Sequence, residues 1–300
     1  MVTVSIILVN YNGAEITIEC LHSIQSQLHS VPYEVIVVDN ASTDQSAASI
    51  EKAFPEVKLL RQSQNRGFGT GNNIGAKIAS GKYLFLLNTD TILTSDLLPH
   101  LVEVIEKDST IGIIGPKLLN PDGSLQLSTA RSISLWGEYQ DLKQKIDYQK
   151  LEARSHISEQ FTTLQEVDIV IGAALLIRRD LFESLGGFDE TFFMYFEESD
   201  LCQRVREKGL KVIYTPSVNL IHLGGYSVNK TVDRLRLEYR RSQIYYYQKH
   251  RPRSEQLILR CYLALKFAYA SLRSSQKVNL EILRLVLNFN QYPLTTGFKS

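Results

Sequence analysis

The feature that most constrains the fold is a series of short apolar runs that alternate with helical patterns over the first 116 residues. The runs SIILV (5–9), EVIVV (34–38) and YLFLL (83–87) are apolar at nearly every position. A strand with one solvated face would instead alternate apolar and polar residues, so these strands must be covered on both faces. The alternating helices supply that cover. The sequence therefore predicts an α/β fold with a mostly parallel central sheet covered by helices.

The boundaries of the elements follow from the apolar periodicity and from the turn residues between the runs. We expect strands at Thr3–Val9, Tyr33–Val38, Val57–Leu60, Tyr83–Leu87 and Ile111–Gly115. The helical patterns between them cover Ala14–Gln27, Gln45–Ala53, Gly71–Ala79 and Asp96–Lys107, and Ser42 with Gln45 resembles a capping box for the second helix. Strand patterns return at Asp168–Ile177 and Lys211–Tyr214.

The tail differs from the rest of the chain in charge and in pattern. The chain has a formal net charge of +1, yet 12 Lys and Arg stand against 4 Asp and Glu between Thr231 and Arg284, in a helical pattern. We expect an α/β domain over residues 1–230, with halves at 1–116 and 117–230, and a basic helical C-terminal extension over 231–300. Leucines, not stacked aromatic motifs, separate these basic residues, so we expect no nucleic-acid partner.

Three of the predicted strands end in polar residues, at positions 10–12 (NYN), 39–40 (DN) and 88–90 (NTD). The carboxyl ends of parallel strands meet at one edge of an open sheet, which is where ligands bind in such folds. A single polar strand end is most often a turn, but three at one edge indicate a polar ligand. Asp90 follows a buried strand and is the best metal candidate, because Mg²⁺ and Mn²⁺ prefer oxygen ligands.

The glycine-rich stretch NRGFGTGNNIG (65–75) is not a dinucleotide fingerprint, because Ile74 stands where the third glycine would be, and it lacks the lysine of a P-loop. A dinucleotide-dependent oxidoreductase is therefore disfavoured. Glycines beside Arg66 still suit a close approach of the backbone to a charged ligand.

The segment FFMYFEESDLCQR (192–204) places carboxylates against apolar surface. On a helix that begins at Glu197, Glu198 falls on the apolar face, Glu197 lies at its flank, and Asp200 points away, paired with Arg204. A carboxylate on a buried face is either paired or lines a cavity where its proton affinity is used. The structural alternative is a carboxylate that stabilises the helix N-terminus.

Four of these motifs together resemble the family 2 glycosyltransferases, and in particular the rhamnosyltransferase-like members of bacterial polysaccharide biosynthesis. The motifs are SIILVNYNG, EVIVVDNASTD, NRGFGTGNNIGAKIASGKYLFLLNTDT and GGFDETFFMYFEESDLCQR with IHLGGYS, and they extend over about residues 2–250. The resemblance implies a GT-A fold and inverting transfer of a sugar, rhamnose included, from a nucleoside-diphosphate donor.

The resemblance also implies roles for individual positions. Tyr11 and Asp39 match the positions that contact the nucleobase, and Arg66 and Asn73 lie in the stretch that meets the ribose and phosphates. Asn88 and Asp90 match the first and last positions of the D-x-D-like motif, where Asn88 departs from the acid. Glu198 matches the position of the base, and His222 matches a metal ligand. Contacts on the acceptor side are expected from Phe193, Tyr195 and Glu197.

The reaction so implied needs a divalent metal, Mg²⁺ or Mn²⁺, a nucleotide-sugar donor, and a saccharide or lipid-linked acceptor. Glu198 stands where the subfamily usually has Asp, and the four surrounding rings would raise its pKa by desolvation, as a general base requires. One alternative is a sugar-1-phosphate nucleotidyltransferase, although the loop after the first strand, Asn-Tyr-Asn-Gly, lacks a basic residue. A non-catalytic nucleotide-sugar-binding protein is the other.

The apolar tail segment 255–273 admits two interpretations. It packs on the body or on a second subunit, or it lies in a membrane interface as a monotopic helix. The segment is too short and too charged to span a bilayer, and MVTVSIILVNYNG does not have the pattern of a signal peptide. The three cysteines are expected to be core thiols in a reducing compartment. We therefore expect a cytoplasmic protein, peripheral at the inner face of the membrane in the second interpretation.

Overall fold

A central sheet organises the protein in the computed structural model, which describes residues 2–148, 159–224, 232–274 and 276–288. The hydrogen-bonded order of its main path is β3-β2-β1-β4-β11-β6-β12-β5, with β7 added beside β6 and β9 beside β12, while β8 and β10 form a separate ribbon. The strands in chain order are β1 (Val4–Asn10), β2 (Tyr33–Asp39), β3 (Lys58–Arg61), β4 (Tyr83–Leu87), β5 (Thr91–Leu93), β6 (Ile111–Leu119), β7 (Leu125–Gln126), β8 (Thr129–Ala130), β9 (Gln165–Glu166), β10 (Ile169–Val170), β11 (Ala174–Arg178) and β12 (Lys211–His222).

Helices cover both faces of this sheet and make up the C-terminal part of the described chain. They are α1 (Ala14–Gln27), α2 (Ser46–Ala53), α3 (Phe68–Ile78), α4 (Leu98–Lys107), α5 (Leu135–Tyr148), α6 (Arg179–Ser184), α7 (Glu197–Glu207), α8 (Val232–His250), α9 (Arg253–Arg273) and α10 (Lys277–Leu287).

The continuous apolar runs are buried on both faces, as predicted. In β1, Ile6 and Leu8 pack with α1 on one side, whereas Ile7 packs with α3 on the other. Each fully buried aliphatic side chain of this kind contributes about 1.5–3 kcal/mol of transfer free energy. Two glycines let α3 approach the sheet closely, because a Cβ would lie 2.7 Å from Val9 Cγ1 at Gly71 and 2.6 Å from Ile7 Cγ2 at Gly75. These two glycines therefore serve the packing of α3 on the sheet.

The structure corrects three details of the predicted secondary structure. The stretch predicted as one strand at Asp168–Ile177 is divided into β10 and β11, and β11 runs antiparallel to both β4 and β6. The strands β6 and β12 extend well beyond their predicted ends. The capping box is wrong, because the Ser42 hydroxyl donates to Asp39 Oδ1 at 2.6 Å and does not cap α2.

The C-terminal helices pack on the body of the protein through an aromatic and aliphatic cluster. Phe192 and Phe196, which precede α7, pack with Tyr246 of α8, Leu263 of α9 and Ile282 of α10. The tail is thus helical as predicted over the described residues, and the division at residues 230 and 231 stays a prediction. Among the described residues no helix is long and apolar enough to cross a membrane. The expectation for the cysteines holds for Cys20 and Cys202, whereas Cys261 is exposed.

Candidate functional site

The carboxyl ends of β1 and β2 lie side by side, since Asn10 is in register with Asp39. The Asp39 carboxylate is held in place: Asn10 Nδ2 donates to Oδ1 at 2.7 Å, and the Ser42 backbone N–H donates to Oδ2 at 3.1 Å. Tyr11 is partly buried in the turn that follows β1. This edge therefore presents a fixed, almost fully buried acceptor, and the turn after the neighbouring strand carries an aromatic residue, Tyr11.

The turn that carries Arg66 is attached to the end of β2. Asn40 Nδ2 donates to Asn65 Oδ1 at 2.9 Å and to the Gly67 carbonyl at 3.0 Å. The Arg66 guanidinium extends from this turn and pairs with Glu190 at 2.8 Å, with more than half of its side chain exposed. Arg66 is therefore accessible to an anionic ligand that competes with Glu190.

Asn73 occupies a different kind of position from Arg66. Its amide exchanges two hydrogen bonds with the backbone of Phe188, donating to the carbonyl at 2.9 Å and accepting from the N–H at 2.8 Å. Its Nδ2 also lies 3.2 Å from Glu190 Oε1. These bonds connect α3 to the turn before α7, so the amide already has protein partners on both of its polar atoms.

Asp90 and His222 meet where β5 pairs with β12. His222 Nε2 lies 3.3 Å from Asp90 Oδ1, and His222 Nδ1 lies 2.6 Å from Gln126 Oε1. The orientation of the Gln126 amide is fixed by two hydrogen bonds that its Nε2 donates, one to Asn120 Oδ1 at 3.1 Å and one to the His222 carbonyl at 3.2 Å. Its oxygen must then accept a hydrogen bond from Nδ1–H, which leaves the Nε2 lone pair directed at the Asp90 carboxylate.

A lone pair that faces a carboxylate requires a proton or a metal cation between the two atoms. Adjacent ligands of an octahedral ion with bonds of about 2.1 Å lie about 3 Å apart, so the separation of 3.3 Å suits two ligands of Mg²⁺ or Mn²⁺. Mg²⁺ is commonly held by one or two protein ligands together with substrate phosphates and water. No cluster of three metal-binding side chains occurs among the described residues, so Asp90 and His222 would share such an ion with the ligand.

The helix that carries the predicted base begins at a strained turn. α7 starts at Glu197, as predicted, and both Tyr195 and Phe196 have φ of 69°. Two consecutive aromatic residues in the left-handed region cost free energy and persist only where the surroundings hold them. Here the Phe193 carbonyl accepts from the Phe68 N–H at 3.1 Å, and the Met194 carbonyl accepts from Ser242 at 2.8 Å.

Glu198 lies beside the strand end that leads to Asp90. A Cβ placed on Gly172 would lie 3.3 Å from Glu198 Cβ and 3.5 Å from its Cδ, so a larger residue at 172 would press on this side chain. The next residue, Ala173, accepts a hydrogen bond from the Asn88 N–H at 2.9 Å. Residues 172–173 thus connect the Glu198 carboxyl group to the polar end of β4.

Glu197 and Glu198 form an acidic pair with raised pKa values. Burial raises the pKa of Glu198, opposed in part by its own backbone amide and those of Ser199 and Gly172. Burial also raises the pKa of Glu197 well above the usual range, and the neighbouring Glu198 and Asp200 raise it further. Glu197 Oε2 is buried without a hydrogen-bond partner among the described residues. The pKa of Glu197 is therefore raised the more strongly of the two, because it has the charge of Glu198 beside it as well as the effect of burial.

The two predicted acceptor-side rings differ in accessibility. Phe193 is only 3% exposed, whereas Tyr195 is partly exposed and faces Tyr239 of α8, with 5.5 Å between ring centroids. Of the two rings, Tyr195 is the one that offers surface to a ligand.

The predicted environment of Asp200 is wrong, although its predicted pairing with Arg204 is confirmed at 2.8 Å. Asp200 is fully buried because α8 covers this face of α7. Lys249 Nζ lies 2.6 Å and His250 Nε2 lies 2.7 Å from its Oδ1. Burial raises the pKa of Asp200, but the hydrogen bond from His250 and the charges of Arg204 and Lys249 outweigh it and hold the pKa below its usual value. Asp200 therefore anchors the C-terminal helices.

The sequence motifs did not point to several residues that shape the site. Gln126 orients His222 from 96 positions away, and Gly172 packs against Glu198. No local pattern marks either residue. Tyr239 could have been noticed as one of several aromatic residues on one helix, but its packing against Phe196, with centroids 5.1 Å apart, depends on the tertiary fold.

The chain belongs to glycosyl transferase family 2, whose family model matches residues 5–186. Two solved structures with a GT-A fold superpose on it: the mannosyltransferase PcManGT of Pyrobaculum calidifontis, solved with GDP-Man and Mn²⁺, and GalNAc-T7, solved with UDP, GalNAc and Mn²⁺. The first has a TM-score of 0.56 at 21% identity over 82% of this chain and 63% of the mannosyltransferase. The second has a TM-score of 0.57 at 19% identity over 81% of this chain and 47% of GalNAc-T7. The protein is thus a glycosyltransferase with a GT-A fold.

Two curated relatives lie within this family. The N-acetylglucosaminyl-diphospho-decaprenol L-rhamnosyltransferase of Mycobacterium tuberculosis is 27% identical over 212 residues, which cover 66% of this chain and 69% of the relative. The low-salt glycan biosynthesis hexosyltransferase Agl10 of Haloferax volcanii is 26% identical over 245 residues, which cover 78% of this chain and 69% of that relative.

Proposed function

We propose that the protein is an inverting, metal-dependent glycosyltransferase that moves a sugar from a nucleoside-diphosphate donor to a hydroxyl group of a saccharide or lipid-linked acceptor. The observation that carries this proposal is the position of Glu198. Its carboxyl group has a raised pKa and packs on Gly172. The next residue, Ala173, accepts a hydrogen bond from Asn88 at the end of β4, the strand that leads to Asp90. A base beside a diphosphate site is the arrangement that direct displacement requires.

The proposed chemistry is one in-line step. Glu198 accepts the proton of the acceptor hydroxyl while the oxygen of that hydroxyl attacks the anomeric carbon from the face opposite the diphosphate. The bond from that carbon to the phosphate oxygen breaks, and its electron pair leaves with the nucleoside diphosphate. The configuration at the anomeric carbon is inverted. A raised pKa suits this role, because a base must be ionised before the reaction and basic enough to take the proton.

Glu197 supports the base by remaining neutral. A second ionised carboxylate beside Glu198 would leave two like charges in one buried site. The protonated form of Glu197 avoids that repulsion. When bound, Mg²⁺ or Mn²⁺ would be held by Asp90 and His222 and would supply positive charge to the leaving diphosphate.

The donor would lie along the carboxyl ends of β1, β2 and β4. Asp39 would accept N–H bonds from the nucleobase, with Tyr11 beside it, and the Arg66 guanidinium would meet the phosphates once it leaves Glu190. The Asn88 side chain has no hydrogen-bond partner among the described residues, and it would bind the donor next to Asp90. Asn73 would act on the donor indirectly, by holding α3 against the turn at Phe188.

The choice of sugar and acceptor is supported by the relatives. The mycobacterial relative is named for rhamnose transfer to a sugar on a decaprenyl diphosphate, and we extend both features to this chain, with rhamnose as the donor sugar and a role in cell-surface polysaccharide biosynthesis. A lipid-linked acceptor would place the protein at the cytoplasmic face of the membrane.

The surface of α9 supports a peripheral contact with that membrane. Leu259, Leu263 and Phe267 of α9 face the protein, while another side of the helix exposes Leu257, Ile258, Tyr262, Leu265, Tyr269 and Leu272. Arg260 does not belong to this surface, because it is buried and its guanidinium donates to the Val286 carbonyl at the end of α10. The contact would rest on the apolar side chains, with Lys266 and Arg273 beside them. The same exposed face would serve as an interface if the protein forms an oligomer.

The proposal is tested with a panel of donors: deoxythymidine-diphosphate rhamnose, uridine-diphosphate sugars and guanosine-diphosphate sugars. Release of the nucleoside diphosphate with Mn²⁺ present identifies the donor. A sugar-1-phosphate nucleotidyltransferase would instead release inorganic diphosphate from a nucleoside triphosphate and a sugar phosphate. Tight donor binding without hydrolysis or transfer to any acceptor would indicate a non-catalytic binding protein.

A further inference from the structure

A cleft of about 390 Å³ lies between the C-terminal helices and the turn that precedes α7, and the reaction described above does not use it. Three cationic side chains line the cleft, Arg236 and Arg240 from α8 and Lys266 from α9. No Asp or Glu side chain lines it among the residues that the structure describes. Aromatic surface completes the walls, supplied by Tyr195, Tyr239 and Phe267.

These cations have few direct charged partners, although the Glu138 carboxylate, which accepts a hydrogen bond from Gln243 at 2.6 Å, interacts electrostatically with Arg240. The Arg240 guanidinium lies 5.0 Å from the ring centroid of Tyr239, and its hydrogen-bond partner is the neutral Gln243 at 2.5 Å. Neither Arg240 nor Lys266 forms an ion pair within the described part of the chain. Arg236 approaches Asp233 at 3.5 Å, with 41% and 61% of the two side chains exposed, and an exposed pair of this kind contributes little. Such a site favours an anion with several oxygens, because guanidinium and ammonium groups bind phosphates by charge-assisted hydrogen bonds.

The cleft adjoins the base across one layer of rings. The Tyr239 ring lies 5.1 Å from that of Phe196, the residue immediately before α7. Burial raises the pKa of Tyr239 to about 12, and the charge of Glu198 is among the smaller causes of the same shift. A group bound in the cleft would therefore lie next to Phe196, at the start of the helix that carries Glu198.

The anion in this cleft is not the diphosphate of the donor. The donor edge lies at the ends of β1, β2 and β4, with Asp39 and Asp90, whereas the cleft is formed by Tyr195 and the C-terminal helices. The surface beside the cleft is apolar. Tyr262, Leu265 and Tyr269 surround Lys266 on α9 and are 56%, 74% and 57% exposed. An anionic group that continues into a hydrocarbon chain complements both surfaces.

We propose that this cleft binds the diphosphate of a prenyl-diphosphate-linked acceptor, with the prenyl chain lying along the exposed face of α9. The proposal rests on the transferase function proposed above and adds to it the place on this chain that holds the lipid diphosphate of the acceptor. Arg240 and Lys266 are positioning residues, because they hold the lipid end of the acceptor and do not contact the reacting atoms.

The test uses geranyl diphosphate as a probe, titrated calorimetrically into the full-length protein with chelator present to suppress binding at the donor edge. We expect the double variant Arg240→Gln with Lys266→Gln to weaken binding by about tenfold or more, since two charge-assisted contacts are lost. Arg253→Gln removes an exposed charge outside the cleft, and Asp90→Ala alters the donor edge, so both should bind as the unmodified protein does. Lys266→Gln alone is a surface change that keeps the test valid if the double variant is unstable.

Four results would overturn the proposal: no binding, equal binding by the double variant, loss of binding in Asp90→Ala, or equal binding of geraniol or inorganic diphosphate alone. Donor binding separates this outcome from failure of the proposed function. If nucleotide sugars do not bind the protein but geranyl diphosphate binds in the cleft, the transferase function is contradicted, whereas the cleft remains supported as a diphosphate site. If sugar transfer to a prenyl-diphosphate acceptor keeps its KM in the double variant, the cleft assignment fails and the transferase stands.

Discussion

His222 Nε2 lies 3.3 Å from Asp90 Oδ1, and the hydrogen bond from its other ring nitrogen to Gln126 leaves that Nε2 lone pair facing the carboxylate. The two side chains come from neighbouring antiparallel strands, since His222 pairs with Thr91. This geometry calls for a proton or a metal cation between the two atoms, and it lies at the sheet edge where the donor diphosphate is expected.

Removal of either proposed metal ligand, Asp90 or His222, should weaken donor binding only when metal is present. We expect Asp90→Ala to abolish the gain in donor affinity that Mn²⁺ provides over chelator, because the carboxylate supplies the main charge for the ion. His222→Ala should reduce that gain, and Gln126→Leu should weaken metal binding by about 10-fold to 100-fold through loss of the imidazole orientation. Gln165→Leu, which alters a glutamine outside the site, is the control. Calorimetric titration with both solutions measures the effect, and equal donor affinity with Mn²⁺ and with chelator in the unmodified protein contradicts a metal site.

Asp200 should contribute far more to stability than an exposed pair of the same spacing. Asp200→Ala leaves Arg204, Lys249 and His250 without their shared partner, and the loss of one member of a buried ion pair costs about 3–5 kcal/mol. Glu183→Ala removes the exposed i,i+4 partner of Arg179, where about 1 kcal/mol or less is expected. Denaturant unfolding compares the two variants, and equal losses would mean that α8 is not anchored through Asp200.

The sign of the pH dependence at Asp200 follows from its lowered pKa. The stability that it contributes is fully present above the pKa of an unfolded aspartate, about 3.9, and is lost as the pH falls through the lower folded value. Asp200→Asn should therefore flatten the acid limb of the stability profile.

The exposed face of α9 should bind anionic membranes. We expect the protein to co-sediment with vesicles that contain anionic lipid at low salt, and more weakly at high salt, because basic residues near a membrane surface contribute about 1 kcal/mol each and are screened. Leu265→Ser with Leu272→Ser should reduce binding, whereas Ile146→Ser, which alters an exposed residue of α5, should not. Absence of vesicle binding by the unmodified protein would leave this face as a protein interface.

The raised pKa of Glu198 predicts where activity is lost at low pH. A general base works only when ionised, so kcat/KM should fall as the pH drops through its pKa. That acid limb should lie above the ordinary glutamate pKa of about 4.3. A profile of kcat/KM against pH measures it, and a limb at or below the ordinary value would contradict Glu198 as a partly buried base.

Much of the sheet could be predicted because a strand that is buried on both faces has a run of residues that is apolar at nearly every position. The same run has no direction, so the antiparallel course of β11 could not be read from it. The position of Glu198 could be inferred from helix periodicity, which also predicted that Asp200 points away from the apolar face. That face is nonetheless buried, because α8 covers it through contacts separated by about fifty residues in sequence. Gln126 and the cationic cleft were missed for the same reason, since each is assembled from distant segments.

The most direct test of the account compares transfer by two neighbouring glutamine variants. Glu198→Gln removes the base and should lower kcat by about 10²-fold to 10⁴-fold while donor affinity stays nearly unchanged. The pKa of Glu197 is raised well above its usual value, and glutamine mimics the protonated carboxyl group, so Glu197→Gln should retain most of the activity. Single-turnover transfer from the donor identified in the panel measures both. Full activity in Glu198→Gln would contradict the account and assign the proton transfer to another group.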